Sequence, residues 1–133
     1  IKNLELFLAN DLVPVVAPLT HDGKGQLLNT NADTIASVLA VALSKHFDVR
    51  LIFCFEKKGV LRDVNDSGSV ITHLSRKLYD EYSEQGVFAD GILPKLENAY
   101  AAIDAGVKEV LIGESTDLIK NTGHETDGTL ITK

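Results

Sequence analysis

The sequence of 133 residues contains no Met and a single Cys. With one Cys, no disulfide can form within the chain, and this usage is typical of a protein kept in the reducing cytoplasm. No stretch approaches the ~20 consecutive apolar residues of a membrane-spanning helix, so no membrane partner is expected. Polar residues interrupt the first ten positions, so no signal peptide is expected there. The missing Met indicates a piece of a longer protein.

Positive charge is also in short supply, because 13 Lys and Arg stand against 19 Asp and Glu, for a formal net charge of −6. The basic residues are scattered as well, which argues against a nucleic-acid partner. The hydrophobic fraction of 44% is ordinary for a globular protein. We therefore expect residues 1–133 to form a single folded domain and not a disordered chain.

Apolar periodicity and turn residues divide the chain into alternating helices and strands. The predicted helices cover residues 1–8, 31–47, 74–85 and 93–105, the second with Asn31 as its N-cap. The predicted strands cover residues 13–17, 26–28, 49–55, 107–113 and 129–132. We expect residues 13–17 to be buried and residues 49–55 to be buried on both faces of a parallel sheet. This order predicts an α/β fold, a mostly parallel sheet sandwiched between helices.

Several common catalytic motifs are missing. The chain has neither the GxxxxGK[ST] nor the GxGxxG phosphate-binding pattern. Its four His residues lie too far apart in sequence for a metal site: His21, His46, His73 and His124. His46 continues the apolar stripe of its helix and Cys54 lies between two Phe, so we expect both to be packed and unreactive.

Three segments carry groups suited to phosphate chemistry. Residues 29–33 bring two amides and a carboxylate to a strand-to-helix junction, where open α/β sheets bind ligands, although Asn31 also fits a purely structural cap. Residues 91–95 begin a helix with Lys95, which opposes the helix dipole unless an anion lies nearby; the alternative is a surface Lys. Residues 55–61 follow the central strand, and their two Lys are interpreted as solvated. Together these groups suit phosphoryl transfer, in which a protein mainly positions groups and stabilises charge.

The segments VPVVAP, LLNTNADTIAS, LIFCFEKKGVL, DGILPK, AIDAGVKEV and DGTLI resemble, in this order, the amino acid kinase family. The resemblance covers essentially the whole chain. It is strongest to the branch that uses ATP to phosphorylate the side-chain carboxylate of N-acetyl-L-glutamate, or of another N-acyl-glutamate, in arginine biosynthesis. The alternatives are a nucleotide- or amino-acid-binding module without catalysis, or another kinase of the family: aspartate, glutamate 5- or carbamate kinase.

The resemblance also implies roles for particular residues. Lys95 would stabilise the transferring phosphoryl group, and Asp33 would hold the catalytic lysines in position without acting as a general base. Asn29 and Asn31 would contact the acylated amino acid. The nucleotide pocket would be formed by Glu56, Gly59, Val60, Leu61, Val87, Phe88, Ala89 and Gly91. The implied cofactor is ATP with Mg²⁺, the metal being held mainly by phosphate oxygens and by no dedicated protein ligands.

Two features depart from the family pattern. Glu56 stands where the family usually has an Asp at the strand end. The Gly-rich turn, the second catalytic Lys and the substrate-binding Arg of the family's N-terminal half have no counterpart in the sequence. The chain therefore resembles the C-terminal, ATP-binding half of such a kinase, and we expect it to be inactive without the N-terminal substrate half. The full-length protein is expected to form a homodimer.

Overall fold

A computed structural model describes residues 1–89, 91–123 and 125–133 of the chain. Its helices are α1 (Lys2–Ala9), α2 (Ala32–Leu43), α3 (Arg76–Glu84), α4 (Leu93–Asp104) and α5 (Leu118–Asn121), the last preceded by a 3₁₀ turn at Ser115–Asp117. Its strands are β1 (Leu19–His21), β2 (Leu27–Asn29), β3 (Arg50–Phe55), β4 (His73–Leu74), β5 (Glu109–Glu114) and β6 (Thr129–Ile131). None of the described helices combines the length and the apolar character that crossing a bilayer requires.

The main sheet has the strand order β3-β5-β6-β4 within the described residues. Strand β3 runs parallel to β5, and β4 runs parallel to β6, whereas β6 is antiparallel to β5. Strands β1 and β2 pair as a separate antiparallel hairpin that ends at Asn29. The predicted α/β fold with a mostly parallel sheet is confirmed.

Helices lie on both faces of the sheet. Successive side chains of a strand point to opposite faces, so the neighbours of consecutive β5 residues show what covers each face. Val110 and Ile112 of β5 belong to the main hydrophobic core, which also contains the buried residues of α4. Gly113 points to the other face, where Asn121 of α5 packs so closely that the site has no room for a Cβ. The sandwich arrangement therefore holds at the centre of the sheet.

Helix α4 packs one of its faces against the hydrophobic core of the sheet. Its buried residues recur at helical spacing: Leu96, Ala99, Tyr100, Ala102 and Ile103. Pro94 lies in its first turn, where a missing N–H leaves no hydrogen bond unmade, and Gly106 follows its end with a φ of 111°. Both ends agree with the sequence-based prediction.

Tyr100 ties α4 to β4. Its hydroxyl donates to the Leu74 carbonyl oxygen at 3.0 Å in the core, and burial raises the pKa of Tyr100 above its usual value, so the donor stays protonated. Tyr100→Phe leaves that buried carbonyl without its partner, and we expect the free energy of unfolding to fall by about 1–3 kcal/mol. Urea unfolding measures this loss. Tyr82→Phe, at a half-buried position, is the control, and an equal loss there would contradict the assignment.

The predicted strand at residues 13–17 is wrong. The segment is irregular, and Val13 and Val15 are 87% and 96% exposed. Its apolar composition predicted burial, but a strand needs a neighbour for its backbone N–H and C=O groups, and none of the described strands pairs with it.

Two predicted helix boundaries also differ. Helix α2 ends at Leu43 and not at Phe47, because Ser44 Oγ donates to the Val41 carbonyl oxygen at 2.8 Å and competes with helix continuation. Leu74, predicted to begin a helix, belongs to β4, and α3 starts after Ser75, whose side chain accepts from the Leu78 N–H. The cap therefore overrides the apolar spacing that had included Leu74.

Strand β3 is buried on one face only, which corrects the predicted burial on both faces. Leu51 and Phe53 are buried, whereas Cys54 is exposed, so the prediction of a buried thiol is wrong. His46 lies beyond the end of α2 and is also exposed, with Nδ1 3.6 Å from Glu5 Oε1, so it is not packed as predicted. The predictions for Cys54 and His46 assumed that other elements would pack over these side chains, and none of the described residues does so. His124 lies outside the described residues.

Candidate active site

A cleft opens at the carboxyl end of β3, between the loop that follows this strand and the turn that precedes α4. We call it the strand-end cleft, and it is lined by Phe55, Glu56, Lys57, Gly59, Val60, Leu61, Val64, Val87, Ala89, Gly91 and Ile92. The cleft has a volume of about 150 Å³ and is partly open to solvent. It also lies at the edge where open α/β sheets bind ligands.

The strand-end cleft collects the residues that the sequence assigned to nucleotide binding, with one exception. The lining members of that set are Glu56, Gly59, Val60, Leu61, Val87, Ala89 and Gly91. Phe88 does not line the cleft. It is buried, and its ring stacks on Tyr79 with centroids 5.7 Å apart. By packing in the core, Phe88 holds the segment that carries its neighbours Val87 and Ala89.

Four lining residues lie outside the set that the family resemblance implied: Phe55, Lys57, Val64 and Ile92. Lys57 was interpreted as solvated, yet its Nζ lies 3.4 Å from the Val64 carbonyl oxygen and connects the start of the loop to its middle. Val64 is the one apolar residue of the polar stretch 62–69, and that isolation was the available signal. Ile92 lies inside the GILPK segment and was treated as a helix-start residue.

Lys95 and Asp33 meet where the first turns of α4 and α2 pack side by side. Lys95 Nζ donates to Asp33 Oδ2 at 2.5 Å, although the two residues are 62 positions apart in sequence. Their side chains are 19% and 30% exposed, respectively. Nζ also lies 5.5 Å from the centroid of the Phe53 ring, within the range of a cation–π contact. The ammonium is thus fixed from two sides and still open to solvent.

The electrostatics of the two helix ends explain this pair. A Lys in the first turn of α4 faces the positive end of the helix dipole, whereas an Asp in the first turn of α2 is favoured there. The ion pair compensates the unfavourable position of Lys95 and orients its side chain. Because an ammonium has three N–H donors, Lys95 can bind an anionic group and keep Asp33 as a partner.

The two amides, Asn29 and Asn31, precede Asp33 at the junction between β2 and α2. Asn31 Oδ1 accepts from the Thr34 N–H at 3.1 Å, so Asn31 is the N-cap of α2 as predicted. Asn29 ends β2 and is exposed. Neither residue lines the strand-end cleft, whose Gly91 and Ile92 lead into the helix of Lys95. Along the chain, Asp33 therefore follows closely on the amides, and Lys95 follows closely on the cleft residues Gly91 and Ile92.

These features define an α/β protein with a cationic group held between a cleft and polar side chains near strand and helix ends. Residues 1–114 match the family model described as the amino acid kinase family, and the chain belongs to that family.

Curated relatives refine the comparison. The chain is 58% identical over 112 residues to the acetylglutamate kinase of Parabacteroides distasonis, covering 84% of this chain and 44% of that protein. It is 51% identical over 130 residues to the acetylglutamate kinase of Phocaeicola vulgatus, covering 98% of this chain and 49% of the relative. The solved structure of smu.665 from Streptococcus mutans UA159 is 35% identical with a TM-score of 0.74, covering 98% of this chain and 47% of that one. The chain spans about half the length of the curated relatives that it matches.

Proposed function

We propose that the full-length protein uses ATP to phosphorylate the side-chain carboxylate of N-acetyl-L-glutamate in arginine biosynthesis, and that this chain supplies the nucleotide-binding half. Family membership and relatives named acetylglutamate kinase support the reaction. The Lys95–Asp33 ion pair, whose Lys lies in the helix that follows the strand-end cleft, is the observation that carries the proposal for this chain. As an ATP-consuming enzyme of amino acid biosynthesis, the full-length protein would act in the cytoplasm. By the family resemblance, it would form a homodimer.

The lining of the strand-end cleft fits the nucleoside part of ATP. Val60, Leu61 and Val87 offer an apolar surface for a flat base, which is the usual character of a small-molecule pocket. The Glu56 carboxylate can accept from a ribose hydroxyl. Gly91 permits close backbone approach just before the N-terminus of α4, where phosphate groups are favoured.

Phosphoryl transfer then needs little covalent chemistry from the protein. ATP supplies the phosphoryl group, with Mg²⁺ held mainly by phosphate oxygens. Lys95 would place its ammonium against the negative charge that develops during transfer, and Asp33 would hold that ammonium in place. The acceptor is a carboxylate, which is already ionised at neutral pH. No side chain has to remove a proton from it, so we assign Asp33 as a positioning residue and not as a general base.

Asn29 and Asn31 would contact the acylated amino acid near its reacting carboxylate. The Oδ1 atom of Asn31 is used by the helix cap, but its amide NH₂ group can still donate to an anionic substrate. Since the acyl group is part of the recognised substrate, glutamate without it should be a poor substrate for the full-length protein.

We expect the 133-residue chain to bind ATP weakly and to release no ADP, because the family's second catalytic Lys and its substrate Arg lie outside this sequence. Calorimetric titration with ATP and a coupled ADP-release assay measure the two properties. The full-length protein, assayed with N-acetyl-L-glutamate, glutamate and aspartate, is the comparison. Substantial ADP release by the short chain would contradict this division of roles. Equal rates of the full-length protein on acylated and free glutamate would contradict the proposed substrate.

A further inference from the structure

Thr129 is a buried polar residue of β6 to which no role in the candidate site has been assigned. It is fully buried in β6, opposite Ile112 of β5. Its Oγ1 accepts a hydrogen bond from the Val60 N–H at 2.8 Å, across 69 positions of sequence. Val60 lines the strand-end cleft, whereas Thr129 does not. A buried hydroxyl therefore holds the backbone of a cleft residue from behind.

Gly59 shows how close this contact is. A Cβ added at Gly59 would lie 2.7 Å from Thr129 Oγ1, a distance that real Cβ atoms essentially never show, and 3.0 Å from the Thr129 backbone N, which is also tight. Gly59 also lines the cleft. The loop after β3 thus rests directly on β6 at two consecutive residues, and glycine is required at the first because of the approach distance.

A second hydrogen bond completes the support. The Val60 carbonyl oxygen accepts from the Ile71 N–H at 2.8 Å, so both backbone polar groups of Val60 are bonded to buried parts of the fold. Thr129 supplies the side-chain half of this support. Strand β6 is hydrogen-bonded to β5. Through Thr129, the position of the cleft wall is therefore fixed relative to the sheet.

We infer that Thr129 is a positioning residue for the nucleotide site: its buried hydroxyl fixes the Gly59–Val60 wall of the strand-end cleft at the height that a bound nucleotide contacts. This inference rests on the proposed function, because it assumes that the cleft binds ATP. It adds a residue from the last strand, distant in sequence from the loop that lines the cleft, to the determinants of nucleotide affinity.

Thr129→Val tests the inference, since valine has nearly the shape of threonine but cannot accept the Val60 N–H. We expect the dissociation constant for ATP to rise roughly tenfold, because the wall relaxes to satisfy an N–H that would otherwise be buried without a partner. In the full-length protein KM for ATP should rise while kcat changes little, because the wall contacts the nucleotide equally in the ground and transition states. Thr129→Ser keeps the hydroxyl and should retain wild-type affinity.

Thr132→Val is the matched control, because the Thr132 hydroxyl lies 3.0 Å from His73 Nε2 at an exposed position of the same chain end. Thr129→Cys covers the case in which Thr129→Val does not fold: it has nearly the size of the serine variant but only a weak acceptor, and it should weaken ATP binding. Wild-type affinity in the folded valine or cysteine variant would overturn the inference, as would loss of affinity in the serine variant. Absence of ATP binding in the wild-type protein would overturn the proposed function instead.

Discussion

Lys95→Ala in the full-length protein is expected to lower kcat roughly 10²–10³-fold, the usual effect of removing one preorganised charge from a transition state. The affinity for ATP should change little, because Lys95 does not line the strand-end cleft and would act on charge that develops only during transfer. Single-turnover rates measure the first effect, and equilibrium titration with ATP measures the second.

Lys108→Ala is the control for this substitution. Lys108 is also paired with an Asp, its Nζ lying 2.9 Å from Asp48 Oδ2, but this pair is on the surface. Its loss should leave kcat and ATP affinity unchanged. If Lys95→Ala also leaves the rate intact, Lys95 is an ordinary surface residue and the proposed mechanism fails. If it weakens ATP binding as strongly as it slows transfer, Lys95 acts in ground-state binding and not in the transition state.

Local chemistry decided which parts of the fold could be predicted. Pro94 and Gly106 mark the ends of α4, and Asn31 caps α2, because each effect depends only on residues within one helical turn. Two helix boundaries were still wrong, at Ser44 and Ser75. The other predictions that failed concern burial, which depends on neighbours that a sequence pattern does not identify. Cys54 has apolar neighbours in the chain, yet it is exposed because no described element covers it.

The candidate site shows the same division. The loop after β3 could be placed at a strand end from the apolar run that precedes it, and the roles of Gly59 and Val60 came from family resemblance. The contact between Lys95 and Asp33 depends on the packing of α2 against α4, which helix patterns do not specify. Thr129 gave no signal, because a Thr in a strand is common and its bond to Val60 joins distant parts of the chain.

Asp33→Asn is expected to lower kcat of the full-length protein roughly 10–10²-fold, less than Lys95→Ala. Asparagine keeps the shape of the side chain and one acceptor oxygen but removes the negative charge that holds the Lys95 ammonium. Lys95 would then sample other rotamers, and a small misplacement of a catalytic group is costly. Asp48→Asn, in the exposed pair with Lys108, is the matched control and should not change the rate.

The double variant Lys95→Ala with Asp33→Asn separates positioning from direct chemistry. If Asp33 acts through Lys95, its removal should cost little once Lys95 is gone, so the two effects should be far from additive. A general base would behave differently: Asp33→Asn would then remove one limb of the pH dependence of kcat, and its effect would multiply that of Lys95→Ala. Because the acceptor carboxylate carries no proton to be removed at neutral pH, we expect the non-additive result and an unchanged pH profile. Additive losses would show that Asp33 has a role of its own in transfer, which the ion pair does not explain.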